Sequence, residues 1–149
     1  MKRDIAREIA VQIVFGTPFS GGSAGDFLEE FFSGEHFASM PDELDIFSAL
    51  PDDMSMEYIR RTVNGVFDHL EEIDSLIGGA SKGWSVRRIS GTARSVLRVA
   101  VYEMLYADDV PVGAAINSAV EIDKKYDDAD VVSFVNGVLG SIAKGISDK

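Results

Sequence analysis

The stretch "TARSVLRVAVYEML", residues 92–105, decides the fold. Val96, Leu97, Ala100, Val101, Met104 and Leu105 recur in it at the spacing of one helix face, so it reads as a long helix with a buried stripe. No stretch of the chain alternates with period two for long enough to compete as a strand. The same helical period continues in both directions. Upstream, Ser55 is a candidate N-cap for a helix whose stripe runs Ile59, Val63, Val66, Phe67, Leu70, Ile73 and Ile77 to a stop at Gly78-Gly79. Downstream, Pro111 opens a helix carrying Ile116, Ala119 and Val120, and Asp130 caps another carrying Val131, Phe134, Val135, Val138 and Ile142. At the start, Ile5, Ile9 and Ile13 with Ala6, Ala10 and Val14 predict an amphipathic helix over 3–15, closed by Thr17-Pro18 and a glycine-rich loop. Two short helices are expected around Phe27 to Phe32 and around Leu44 to Leu50, bounded by Pro41 and Pro51. The reading is all-α: a compact bundle of about seven helices in one domain spanning 1–149, with short connections that favour antiparallel packing.

Composition narrows the function. The chain has 149 residues, no cysteine and a formal net charge of −11. Without cysteine there are no disulfides and no thiolate metal sites, and a cytoplasmic protein is the simplest expectation. Arg7, Glu8 and Gln12 interrupt the first apolar stretch, which argues against a signal peptide, and no run is long enough to cross a bilayer. The charge is uneven. Residues 26–72 hold thirteen acidic side chains against Arg60 and Arg61, an excess equal to the whole net charge. The rest of the chain is balanced, so no broad basic surface is expected, while a local polyanion site is compatible with the low pI.

Motifs for catalysis fail on context. Gly21-Gly22-Ser23-Ala24-Gly25 fits G-x-S-x-G, but a nucleophile elbow needs a preceding strand and here a helix precedes it. Ser141-Ile142-Ala143-Lys144 fits S-x-x-K without its companion motifs and reads as a helix end. Asp127, Asp128 and Asp130 lack the ligand spacing of a calcium loop and read as a cap and turn, and Lys82 precedes Gly83, the wrong order for a phosphate loop. His36 and His69 have no recognisable partners. No enzyme and no cofactor are expected.

The helical blocks nevertheless have a characteristic order. "AREIAVQIVF" (6–15), "GVFDHLEEIDSLI" (65–77), "WSVRRISGTARSVLRVAVYEMLY" (84–106), "VPVGAAINSAVEIDKKY" (110–126) and "SFVNGVLGSIAK" (133–144) resemble, in order and spacing, the NusB family of transcription antitermination factors. The resemblance implies two helical subdomains packed together, over about 1–50 and about 55–147. It also implies an RNA-binding role: family members bind single-stranded boxA RNA of ribosomal leaders together with NusE, a small-subunit ribosomal protein, within the transcription elongation complex.

Residue chemistry is compatible with that role. Single-stranded RNA is held by phosphate contacts and by stacking or hydrogen bonding to splayed bases. Lys2, Arg3 and Arg7 are the candidates for phosphate, with Arg3 and Arg7 expected on one outward face of the first helix; Phe134 and Ser133 are the candidates for bases. The plainer alternatives are solubility residues on the first helix and a core position for Phe134. Three departures from the family pattern thin the expected contacts. Asp4 stands where a basic residue is common, while Phe15 and Ala93 replace a tyrosine and an acid on the face that the resemblance assigns to NusE. Ser118, Asp123 and Asp127 likewise replace a usual glutamate, alanine and glycine. The competing reading is a NusB-fold interaction module that has changed ligands, working through its acidic segment or as a homodimer.

Overall fold

A computed structural model describes residues 2–16, 52–82 and 86–146. The expected short helices within 27–50, the glycine-rich loop, His36 and Trp84 lie outside the described residues, as does most of the span 1–50 expected to form an N-terminal subdomain. Among the described residues there are six α-helices and no strand: α1 (Arg3–Gly16), α2 (Asp53–Asp68), α3 (Leu70–Ala80), α4 (Gly91–Tyr106), α5 (Val112–Asp123) and α6 (Ala129–Ala143). A 3-10 turn, Val86–Arg88, precedes α4.

Helix α4 is the axis of the fold. Eleven of its sixteen residues are buried, because α1, α2, α3, α5 and α6 all pack against it. Val96, Leu97, Val101 and Met104 are at most 1% exposed, as the stripe requires. They share one apolar cluster with Ile9 and Ile13 of α1, Ile59 and Val63 of α2, Ile73 and Ile77 of α3, and Val135 and Leu139 of α6.

Three boundaries differ from the sequence reading. The long helix expected to run to Gly78-Gly79 is two helices, broken at His69. The His69 ring stacks on Tyr106 with centroids 4.1 Å apart, and the Tyr106 hydroxyl donates to Glu72, so α4 fastens the break from outside. The cap of α2 is Asp52 and not Ser55: the Asp52 carboxylate accepts from the Ser55 amide at 2.8 Å. The cap of α6 is Asp128 and not Asp130, accepting from the Val131 amide at 3.1 Å. In both cases an aspartate three residues ahead of a first-turn amide outcompetes the candidate inside the first turn.

Side-chain pairs lock the helices in register. Arg98 of α4 donates from Nε and Nη2 to the two oxygens of Asp74 on α3 at 2.8 and 2.7 Å, the bidentate geometry that makes arginine–carboxylate pairs specific. Helices α2 and α4 approach closely at Gly65, where an added Cβ would collide with the Tyr102 ring. Gly65→Ala should therefore destabilise the protein by about 1–3 kcal/mol through overpacking. Urea unfolding checks this, and an unchanged midpoint would mean that the Tyr102 ring swings aside freely.

Candidate nucleic-acid interface

Helix α1 presents fewer free cations than its sequence suggests. Lys2 is exposed. The Arg3 guanidinium lies 4.3 Å from the centroid of the Tyr58 ring and 3.4 Å from Asp109, yet its side chain remains 44% exposed. Arg7 is different. It is buried, donating from Nε and Nη2 to Glu103 at 2.5 and 3.1 Å and from Nη1 to Asp4 at 2.8 Å. Desolvation works against its charge, but the hydrogen bond and the charge of Glu103 outweigh that and hold the guanidinium above its ordinary pKa. The expectation that Arg7 points outward beside Arg3 is thus corrected: residue 7 turns toward α4 because Glu103 is already buried there and needs a counter-charge. Glu8 is likewise buried, accepting from Lys125 at 2.7 Å and from the Tyr126 hydroxyl at 2.5 Å, and Asp4 also accepts from Ser118 at 3.2 Å. The polar flank of α1 is therefore a docking face for α4 and α5 as much as a solvated one.

A second group of residues lies at the other end of α4. Phe134, half-buried on α6, lines a cavity of about 290 Å³ whose walls are mainly apolar, with Ile89 and Val131 beside it and Arg88, Ser90 and Asp130 at its edge. That volume lies near the lower end for small-ligand pockets, which suits one flat ring better than a larger molecule. Ser133 is exposed and faces the adjacent depression, which Lys124, Asp127 and Asn136 also line. Phe15 reaches this end too. It is 55% exposed, and a Cβ on Gly91 would lie 2.7 Å from its ring edge, so the ring sits directly over the glycine and would have to shift for any larger residue there.

Ala93 does not share that exposure. It is fully buried one turn into α4, and its amide donates to the Ser90 cap at 3.3 Å. The partner face inferred at Ala93 is corrected accordingly: an acid at this position would enter the core and not the surface.

The sequence-predicted residues thus fall into two places. Arg3 sits beside Asp109, past the C-terminal end of α4, whereas Phe134 sits beside Ser90 at its N-cap, and the sixteen residues between span about 24 Å at 1.5 Å per residue. Lys2 and Arg3 are not brought together with Ser133 and Phe134. Arg88 was missed, although a basic pair two residues before a serine N-cap in "VRRIS" is a visible signal.

Among the described residues the arrangement is all-helical, with an aromatic-lined cavity at one end of α4 and exposed cations at both. The NusB family model matches residues 4–144, and the chain belongs to the NusB family. It is 37% identical over 147 residues to the transcription antitermination protein NusB of Symbiobacterium thermophilum, covering 98% of this chain and 92% of that protein. It is 35% identical to the protein of the same name from Geobacter sulfurreducens, covering 99% and 97%. Among solved structures, T. maritima NusB superposes with a TM-score of 0.78 at 31% identity, covering 97% of this chain and 92% of that one. A structure of the antitermination factors NusB and NusE in complex with dsRNA superposes with a TM-score of 0.76 at 27% identity, covering 97% of each chain.

Proposed function

We propose that this protein is an RNA-binding transcription antitermination factor of the cytoplasm that works with the NusE ribosomal protein on boxA-type RNA of ribosomal leaders. It is a binding protein and not an enzyme. The observation that carries this reading, beyond family membership, is the ring-sized cavity beside Phe134 with Arg88 at its edge. An unstacked base entering it would cover the exposed part of Phe134 while Arg88 meets the adjoining phosphate. Lys2 and Arg3 would contact the same strand further along, and Ser133 would supply a hydrogen bond from the neighbouring depression. Phe15, exposed next to Gly91, supports a protein partner at the same end of α4. Arg7 is assigned to the fold.

Phe134→Ala tests the reading. Stacking of one base on an aromatic ring contributes about 1–3 kcal/mol, so affinity for boxA RNA should fall roughly ten- to hundred-fold, with or without NusE. The helical dichroism spectrum and the affinity for NusE should stay unchanged. If the intact protein binds boxA and scrambled RNA equally, even with NusE present, the reading fails and the changed-ligand interaction module stands in its place.

A further inference from the structure

A groove of about 750 Å³ runs between the end of α3 and the exposed face of α6, and Phe134 lines it as well as the smaller cavity. We propose that this groove holds the sugar-phosphate backbone of the RNA strand as it continues past the base seated at Phe134. The inference rests on the function proposed above and extends it to a second subsite. Its first support is charge. In a chain with 25 acidic and 14 basic side chains, the groove is lined, among the described residues, by Lys82 and Lys144 and by no acid. Both lysines are exposed, and neither is in an ion pair among the described residues. Two unneutralised cations facing one channel of a strongly acidic protein define a local anion track.

Shape is the second support. Gly137 and Gly140 leave open space where side chains would stand, so a strand can lie close against the α6 backbone. Asn136 and Ser141 offer hydrogen-bonding groups along the same wall, suited to phosphate and ribose oxygens, which also take part in most nucleic-acid contacts that carry no sequence information. Lys82 follows α3 with φ 49°, a backbone conformation that glycine adopts freely and lysine rarely does. The third support is continuity. Since Phe134 borders both depressions, a strand leaving the ring-sized cavity enters the groove without crossing the fold.

The experiment compares boxA RNA with the same RNA carrying an oligouridine tail at either end, binding to the full-length protein and to the double variant Lys82→Ala, Lys144→Ala. For the intact protein, a tail on one of the two ends should tighten binding and steepen the salt dependence. About 0.7 counterions are released per phosphate neutralised on a single strand, so the log–log slope should steepen by about 1.4. The double variant should bind untailed RNA as the intact protein does, and gain nothing from the tail. A tail that gives no advantage to the intact protein, or the same advantage to the double variant, overturns the groove alone. Failure of both RNAs to bind the intact protein overturns the base cavity and the groove together.

Discussion

Glu103→Ala should lower the unfolding free energy by about 3–5 kcal/mol, the range for breaking a buried ion pair from one side. Glu103 is fully buried and receives both hydrogen bonds of the Arg7 fork. Its removal leaves a buried guanidinium whose remaining acidic contact, Asp4, is itself 76% exposed. For a chain of this size the melting temperature should drop by roughly 10 °C. The companion double variant, Arg7→Met with Glu103→Leu, should recover most of that loss, since an apolar pair of similar volume removes both desolvated charges at once. Thermal melts of the intact protein, Glu103→Ala, the double variant and its singles Arg7→Met and Glu103→Leu check this. A double variant as unstable as the sum of its singles would show that the two side chains act independently.

Asp123→Asn should stabilise the protein in alkaline buffer and do little in acid. Asp123 is fully buried at the end of α5, and neither of its carboxylate oxygens has a hydrogen-bond donor; one oxygen of Asp127 is in the same position. Two carboxylates cannot donate to each other, but one protonated carboxyl can donate to the other. Burial, and then the hydrogen bond and charge of Asp127, push Asp123 up to about 8 from an ordinary 3.8. The native state therefore keeps a proton that the unfolded chain releases. Stability falls as pH rises between those two values, and the full penalty is present above the folded pKa. An asparagine donates to Asp127 without ionising, so urea unfolding at pH 8 should show a gain of about 2–4 kcal/mol, shrinking toward zero at pH 4. An equal change at both pH values would place the charge of Asp123 outside the stability balance.

The apolar pattern made the helices legible because burial repeats with the helix period: every residue of the 96–104 stripe named from sequence is in the core. What period could not show was the fate of charged residues on the flanks of that stripe. Arg7 and Glu8 look solvated in a one-dimensional reading, and only the arrival of Glu103 from α4 and of Lys125 and Tyr126 from beyond α5 buries them. Ala93 shows the opposite failure. A small side chain in the first turn of a helix gives no sign of facing inward until its neighbours are placed. The break at His69 is tertiary as well, since the ring that stacks on it comes from Tyr106, 37 positions later. Phe134 was readable as either core or contact, and the fold shows it packed against the core while also lining an open cavity.

On the function proposed above, the separation of Lys2 and Arg3 at one end of α4 from the aromatic cavity at the other turns the helix into a measuring rod. A ligand held at one end searches for the second contact at an effective concentration set by its own length and stiffness. Fragments too short to bridge about 24 Å engage one end and leave quickly. Avidity then appears abruptly once the strand spans the rod, and longer flexible linkers dilute it again. On the proposed function, discrimination by reach, independent of base identity, follows from the length of a single buried helix.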